Sequence, residues 1–259
     1  MSILHSTIIG NSGQDFLILH GFLGMSDNWK THAKNWVKIG YRVHLIDQRN
    51  HGRSFWSNDF SYKLMAKDIA EYCMAYKLRD VLLLGHSMGG KTAMYFACSY
   101  PILLKAMVVV DIAPKIYVPK HQKILQGLTE LNFNQIKTRN EADSFLSKFV
   151  PEPEVRMFLL KNLYWEQREK LGLRININIL KDKSDAINEN IKSDMQSLQP
   201  CLFIKGQLSD YILDSDASLI KHYFPKAQQA TIKDAGHWLH TEKPAVFFDT
   251  VSQWFKGIN

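Results

Sequence analysis

The pentapeptide at 85–89, Gly-His-Ser-Met-Gly, has the G-x-S-x-G spacing that presents a serine hydroxyl for nucleophilic chemistry. It follows the apolar run 81–84 and precedes a segment, 90–97, whose composition suits a helix. A sharp strand-to-helix turn crowds Cβ atoms against the backbone, so the serine needs bare neighbours. The helix N-terminus beyond it would favour a developing anion. We therefore predict a nucleophile elbow with Ser87 at its tip.

A serine hydroxyl needs a general base to take its proton, and the base needs an acid that fixes its tautomer. We predict His237 as the base, because it follows Gly236 in a loop after the last predicted strand. His240 lies in the same short loop and is a second choice. Three further histidines lie in a tight turn, in the elbow or in a polar loop and fit the role less well: His20, His86 and His51.

The order serine, acid, histidine along the chain leaves two carboxylates as candidates for the acid. In most enzymes with this order, the acid lies three residues after the glycine that ends the penultimate strand. Here that glycine is Gly206, the position holds Ser209, and Asp210 is next to it. Asp111 is the alternative, because it ends the strand after that of the serine and faces the same crevice. Spacing alone leaves both open, and Ser209 could add a second hydrogen-bond partner.

Apolar runs alternate with helical patterns at both ends of the chain. Strands are predicted at 16–19, 41–46, 81–84, 106–110, 200–206 and 227–232, and helices at 28–39, 62–76, 90–97 and from 244 onward. This alternation indicates an α/β fold, a mostly parallel sheet flanked by helices. Ligands bind at the carboxyl ends of the strands in such sheets, and the polar residues named above fall at those ends.

Between Lys115 and Gln199 the strand pattern stops. Helices are predicted there at 121–131, 141–150, 154–171 and 183–198, and an isolated stretch at 174–179 alternates as a strand would. We predict a helical cap of residues 115–199, inserted in a core of residues 1–114 and 200–259. Six of its aromatic side chains could line an acyl pocket or could instead pack within the cap: Phe133, Phe145, Phe149, Phe158, Tyr164 and Trp165.

The 259 residues carry a formal net charge of +7, without a basic block interleaved with aromatic residues. We interpret the charge first as solubility and second as attraction of anionic substrates, and we expect no nucleic-acid partner. Cys73, Cys98 and Cys201 fit no zinc spacing. We expect no secretory signal, no membrane span, no metal and no cofactor in a cytoplasmic protein that is a monomer or a homodimer.

Five stretches resemble the α/β-hydrolase superfamily and, within it, the small cytoplasmic esterases of the YbfF type and their mitochondrial relatives: 20–24, 47–54, 85–91, 110–114 and 236–237. The loop Arg-Asn-His-Gly at 49–52 and the Asp-Ile-Ala-Pro at 111–114 are the more specific of these signals. The resemblance implies the α/β-hydrolase fold, with Asp111 as the acid and Ser209 as an auxiliary group. The cap is the part that resembles the group least.

The expected function is hydrolysis of carboxylic esters or thioesters of short to medium acyl chains through an acyl-enzyme on Ser87, with acyl-CoA as one candidate substrate. The backbone N–H groups of Met88 and Phe22 are expected to form the oxyanion hole. A minority interpretation gives Lys91, or basic residues of the cap, a role in attracting an anionic leaving group such as coenzyme A.

Two arginines, Arg49 and Arg53, are expected to brace their loop rather than to meet the substrate. A carbon–carbon bond hydrolase or a cofactor-free perhydrolase would use the same triad, so the motif does not separate them from an esterase. A non-catalytic ligand receptor on the same scaffold is the alternative from another class.

Overall fold

A computed structural model describes residues 2–258, which form a seven-stranded sheet between two layers of helices and a separate hairpin. The strands are β1 (Ser6–Ile9), β2 (Gln14–Leu19), β3 (Tyr41–Ile46), β4 (Val81–His86), β5 (Leu104–Val110), β6 (Leu163–Gln167), β7 (Lys170–Leu173), β8 (Cys201–Gly206) and β9 (Ala227–Ile232). The sheet order is β1-β3-β2-β4-β5-β8-β9, and β6 pairs with β7. Only β1 runs antiparallel to its neighbour in the described sheet, which confirms the mostly parallel α/β architecture. β1 itself was not among the predicted strands.

Ten helices occur in the described range. They are α1 (Lys30–Lys38), α2 (Tyr62–Ala75), α3 (Met88–Ser99), α4 (Gln122–Thr129), α5 (Arg139–Leu146), α6 (Pro153–Leu160), α7 (Ile177–Asp182), α8 (Ala217–Tyr223), α9 (Leu239–Glu242) and α10 (Pro244–Lys256). Short 3₁₀ helices span Ser26–Trp29, Pro101–Leu103, Ser184–Asn188 and Asp214–Asp216. No helix among residues 2–258 has both the length and the apolar character that crossing a bilayer requires.

The two faces of β2 show how the sheet separates two hydrophobic layers. Successive side chains of a strand point to opposite faces. Phe16 therefore packs with Trp36 of α1 and Phe255 of α10, whereas Leu17 belongs to the cluster that contains Tyr72 of α2. All five side chains are buried, so β2 and its parallel neighbours are held from both sides. This rigid sheet fixes the carboxyl ends of the strands relative to one another.

The segment between β5 and β8 differs in two places from the predicted helices. The helix expected at 154–171 is wrong, because α6 ends at Leu160 and the hairpin β6–β7 follows. The helix expected at 183–198 is also wrong, because the 3₁₀ helix ends at Asn188 and irregular chain follows. The isolated stretch at 174–179 is not a strand of a sheet: Ile175 forms a single β-bridge with His51, and α7 begins two residues later.

Hydrogen bonds between this segment and the core hold it over the carboxyl ends of the strands. The Tyr62 hydroxyl donates to the carbonyl of Ile187 at 2.7 Å, and the Asn162 amide donates to the carbonyl of Leu23 at 2.8 Å. All four side chains are buried. Because buried polar groups are costly to leave unpaired, these bonds favour one seating of the segment on the core.

Lys91, in the first turns of α3, also attaches the segment between β5 and β8 to the core. Its fully buried ammonium donates to the carbonyl of Lys115 at 2.7 Å and also to the carbonyl of Glu189, and it lies 4.9 Å from the centre of the Tyr117 ring. Burial lowers the pKa of Lys91 to about 7. The interpretation that Lys91 attracts an anionic leaving group is wrong, because its donors are buried against backbone carbonyls.

Candidate active site

Ser87 occupies a strained turn between β4 and α3. Its backbone angles, φ 53° and ψ −118°, are rare for a residue with a side chain. A Cβ added at Gly85 would lie 2.1 Å from the carbonyl oxygen of Gly89, and one added at Gly89 would lie 2.5 Å from that of Leu19. The Ser87 N–H donates to the carbonyl of Val110 at 2.9 Å, which ties the turn to β5. The chain therefore makes this turn only with both glycines in place.

Asp111, directly after β5, holds the ring of His237. Its Oδ2 accepts from Nδ1 of His237 at 2.8 Å and also from the hydroxyl of Ser209. Its Oδ1 accepts from the backbone N–H of Gly206 at 3.0 Å. The carboxylate is fully buried, whereas the His237 side chain is 23% exposed. This arrangement leaves Nε2 of His237 as the nitrogen that can meet a substrate.

Asp210, the other candidate acid, lies apart from the imidazole. Its carboxylate is 69% exposed and pairs with the ammonium of Lys120 at 2.6 Å. The hydrogen bond from Lys120 lowers the pKa of Asp210. A carboxylate engaged in this way neither orients His237 nor replaces Asp111 in the bonds described above.

Ser87 and His237 line one cavity of about 250 Å³. Within residues 2–258 no hydrogen bond joins the two side chains, and such bonds in unliganded sites are often long and tighten when substrate binds. Phe22 and Met88 lie beside Ser87 along a second, smaller cavity. In the same range neither of their backbone N–H groups has a protein acceptor, so both remain available to an oxyanion.

Two neighbours of His237 are contacts that sequence reasoning missed. The ring of Tyr211 stacks on the imidazole with centroids 3.9 Å apart, and Nε2 of His86 donates to the carbonyl of His237 at 3.0 Å. Burial lowers the pKa of His86 to about 3, so this ring stays neutral and acts through its hydrogen bond. The only sequence signal for Tyr211 is its place two residues after Ser209.

The remaining histidines bond to backbone or are enclosed in the core. Nδ1 of His20 donates to the carbonyl of Gly21 at 2.8 Å, and its Nε2 accepts from the N–H of Gln48 at 3.0 Å. His51 bridges backbone groups in the same manner, and burial lowers its pKa to about 3. His240 is buried, which lowers its pKa well below the usual range. These contacts leave His237 as the histidine beside Ser87 with a carboxylate partner.

Of the six aromatic side chains expected around an acyl pocket, Phe158 lines the cavities at the site. For four of the others, the interpretation that they line an acyl pocket is wrong, because each packs elsewhere or is exposed. The rings of Phe145 and Phe149 pack against each other, Tyr164 lies under the guanidinium of Arg174, and Trp165 is 59% exposed. Phe133 is half-buried against the main hydrophobic cluster.

Arg49 has the bracing role that was expected of it. Its guanidinium forms two hydrogen bonds to the Asp68 carboxylate, at 2.6 and 2.7 Å, and a third to the carbonyl of Asp59. Arg53 donates its backbone N–H to Asp47 at 2.9 Å.

As for metals, no group of three or more His, Cys, Asp or Glu side chains within residues 2–258 is arranged as a metal-binding site.

A mostly parallel sheet with a serine at a sharp turn after a central strand, and a histidine after the last strand, defines an α/β-hydrolase. The chain matches the α/β hydrolase fold family over residues 16–244 and belongs to that family. This match confirms the fold class expected from the sequence. The match also agrees with the resemblance of the sequence motifs to the α/β-hydrolase superfamily.

Relatives with names of their own cover most of the chain. The mouse sn-1-specific diacylglycerol lipase ABHD11 is 36% identical over 92% of this chain and 80% of its own length. The esterase YbfF of Escherichia coli is 29% identical over 90% of each chain. A solved structure called a marine microorganism esterase superposes with a TM-score of 0.93 at 40% identity, covering 98% of this chain and 99% of its own. These likenesses support the predicted class, carboxylic ester hydrolase.

Proposed function

We propose that the chain hydrolyses carboxylic esters through an acyl-enzyme on Ser87. The observation that carries the proposal is the hydrogen bond between Asp111 and His237, on a cavity whose wall also includes Ser87. A buried carboxylate that accepts from Nδ1 fixes the tautomer in which Nε2 carries the lone pair. That nitrogen can then take a proton from a hydroxyl that enters its range.

In the proposed reaction, the Ser87 oxygen attacks the ester carbonyl while Nε2 of His237 takes the hydroxyl proton. The N–H groups of Met88 and Phe22 stabilise the oxyanion, and one such donor is worth about 2.7–4 kcal/mol in a well-studied protease. His237 then returns the proton to the departing alcohol oxygen. Water attacks the acyl-enzyme by the same route and releases the acid and the free serine.

Asp111 stabilises the imidazolium that forms in each step, because its buried carboxylate lies 2.8 Å from Nδ1. The Ser209 hydroxyl and the Gly206 N–H hold this carboxylate from two other directions. Ser209 therefore acts as a positioning residue for the acid. It contributes no proton to the substrate in this mechanism.

Turnover of p-nitrophenyl acetate together with labelling by a fluorophosphonate tests the proposal. We expect turnover and a label on Ser87, and loss of both in Ser87→Ala. The matched control is Ser99→Ala, an exposed serine at the other end of the same helix, which retains both. Absence of turnover and labelling in the folded protein would favour a non-catalytic receptor. Faster cleavage of a vinylogous diketone than of any ester would favour a carbon–carbon bond hydrolase.

The compartment and the assembly belong to the same proposal. Cys73, Cys98 and Cys201 are free thiols, which suits the reducing cytoplasm that the sequence predicts. Cell fractionation tests this location, and recovery in an oxidising compartment would contradict it. The predicted monomer or homodimer is tested by light scattering of the purified chain.

A further inference from the structure

Two cavities of very different size meet at Ser87. The smaller, about 30 Å³, is lined by the oxyanion donors Met88 and Phe22, of which Phe22 also lines the larger cavity. The larger, about 250 Å³, lies beside His237 and shares the walls Phe158 and Trp238 with a further cavity of about 450 Å³. The site therefore offers little room on one side of the serine and much on the other.

The proposed chemistry determines which half of an ester enters each cavity. The departing oxygen takes its proton from Nε2 of His237, so the alcohol half must leave past that ring. The carbonyl oxygen points at the N–H groups of Met88 and Phe22. The acyl carbon chain is left with the smaller cavity, which is lined by Ser87 and Met88 but not by His237. We propose that this enzyme selects esters that join a short acyl group to a large apolar alcohol; the inference rests on the proposed function.

The volume of the smaller cavity sets the limit on the acyl group. A cavity needs about 10–15 Å³ to hold one water molecule. The smaller cavity, about 30 Å³, therefore accommodates two water-sized groups, as an acetyl or propionyl chain requires. Two of its walls, the rings of Tyr62 and Tyr117, are held in place. The Tyr62 hydroxyl donates to the Ile187 carbonyl at 2.7 Å, and the Tyr117 hydroxyl donates to the Tyr211 carbonyl at 2.6 Å. A longer chain therefore meets rings that are hydrogen-bonded at their far ends.

The larger side is apolar in its interior and acidic at its rim. Its interior walls include Trp29, Val155, Phe158 and Trp238. The linings of its two cavities carry three carboxylates, Glu152, Glu154 and Glu242, against two ammonium groups, those of Lys161 and Lys120, and Lys120 is paired with Asp210. The excess of negative charge repels an anionic leaving group such as coenzyme A, and the apolar walls favour a neutral alcohol. The alcohol is therefore expected to be uncharged.

Two series of esters, each with one half fixed, test the assignment. In p-nitrophenyl esters from acetate to octanoate, kcat/KM should fall by about 10-fold or more between propionate and hexanoate, as a chain outgrows the cavity. In acetates of ethanol, butanol and octanol, whose leaving oxygens are chemically alike, kcat/KM should rise by up to about 4-fold per added methylene. The opposite pattern, with long acyl chains favoured and long alcohols rejected, would overturn the assignment.

Variants on each side should move one series only. Ile187→Ala, or the milder Ile187→Val, enlarges the smaller cavity and should raise the ratio of hexanoate to acetate turnover by about 10-fold. Val155→Phe fills the larger cavity and should lower the ratio of octyl to ethyl acetate turnover by a similar factor. Ile102→Ala, an isoleucine that is 80% exposed outside the site, is the control and should leave both ratios unchanged. If Ile187→Ala shifts the alcohol series instead, the two cavities have been assigned the wrong way round.

Acyl transfer to an added alcohol gives a readout that does not depend on KM. The alcohol oxygen attacks the acetyl carbon, its proton passes to His237, the carbon–oxygen bond to Ser87 breaks, and the serine recovers the proton. Butanol added during p-nitrophenyl acetate turnover should therefore yield butyl acetate, with less of it in Val155→Phe. Turnover without butyl acetate would overturn the alcohol cavity alone. Absence of turnover for every ester, with Ser87 unlabelled, would overturn the proposed function itself.

Discussion

Replacement of Asp111 by asparagine removes the charge that holds His237 while keeping the shape of the side chain. The carboxylate accepts three hydrogen bonds, from His237, Ser209 and Gly206. An amide has one accepting oxygen and one donating nitrogen, so it cannot satisfy all three. If the nitrogen faces His237, Nδ1 must become the acceptor, and Nε2 then carries a proton towards Ser87.

The expected loss is that of the wrong tautomer, because the structure favours the orientation that imposes it. The wrong tautomer lowers kcat by about 10⁴ in serine proteases, which corresponds to about 5.4 kcal/mol of transition-state free energy. If the amide oxygen faces His237 instead, its nitrogen opposes the N–H of Gly206, and because an unsatisfied buried donor costs about 1–3 kcal/mol, this orientation is disfavoured. We therefore expect Asp111→Asn to be folded and to lose about four orders of magnitude in kcat.

The assay is p-nitrophenyl acetate turnover under saturating substrate, with thermal unfolding measured on the same preparation. Asp210→Asn is the matched control, because its exposed carboxylate pairs with Lys120 rather than with His237. Its kcat should change by less than about 3-fold, as is usual for an exposed ion pair. A folded Asp111→Asn within 10-fold of the parent, or the larger loss in Asp210→Asn, would refute the reasoning.

Three further changes follow from the same contacts. Ser209→Ala removes one hydrogen bond to the Asp111 carboxylate, worth about 1.5–3 kcal/mol, and should lower kcat by about 10-fold or more with little change in KM; an unchanged kcat would contradict its positioning role. Gly89→Ala puts a Cβ 2.5 Å from a backbone carbonyl and should lower the free energy of unfolding in urea by about 3 kcal/mol, so a parent-like midpoint would contradict the turn geometry. His51 and His86 have pKa values of about 3 in the folded protein, against an ordinary 6.5, so the unfolded chain binds more protons below neutral pH. Stability should therefore be full above about pH 6.5 and should fall towards pH 3, by up to about 1.4 kcal/mol per pH unit for each ring, and a flat profile in urea titrations would contradict this.

The elements around the site could be predicted because their signals are local. The turn at 85–89 needs two bare residues, and the apolar runs of β2 to β5 are long enough to indicate buried strands. The choice between Asp111 and Asp210 was different in kind. It depends on where the end of β5 and the loop after β8 meet, which no spacing along the chain encodes. The resemblance to known esterases supplied that choice.

The errors lie in the segment between β5 and β8, where tertiary contacts override local preference. The hairpin β6–β7 turns at Glu169 with φ 64°, a conformation that usually calls for glycine or asparagine, so the turn carried no signal. Its glutamate, glutamine and arginine residues favour a helix instead. After Asn188 the chain is held by bonds from Lys91 and Tyr95 to its carbonyls, which replace the helical bonds that were expected. The stacking of Tyr211 on His237 likewise arises only from the folded loop.

Rapid-quench turnover of p-nitrophenyl acetate, read by peptide mass spectrometry, tests most directly whether Ser87 carries the acyl group. The account predicts a burst of nitrophenolate equal to the enzyme concentration, with an acetyl adduct on the peptide that contains Ser87 and no adduct in Ser87→Ala. Steady turnover without a burst and without an adduct, or an adduct on another residue, would contradict the account.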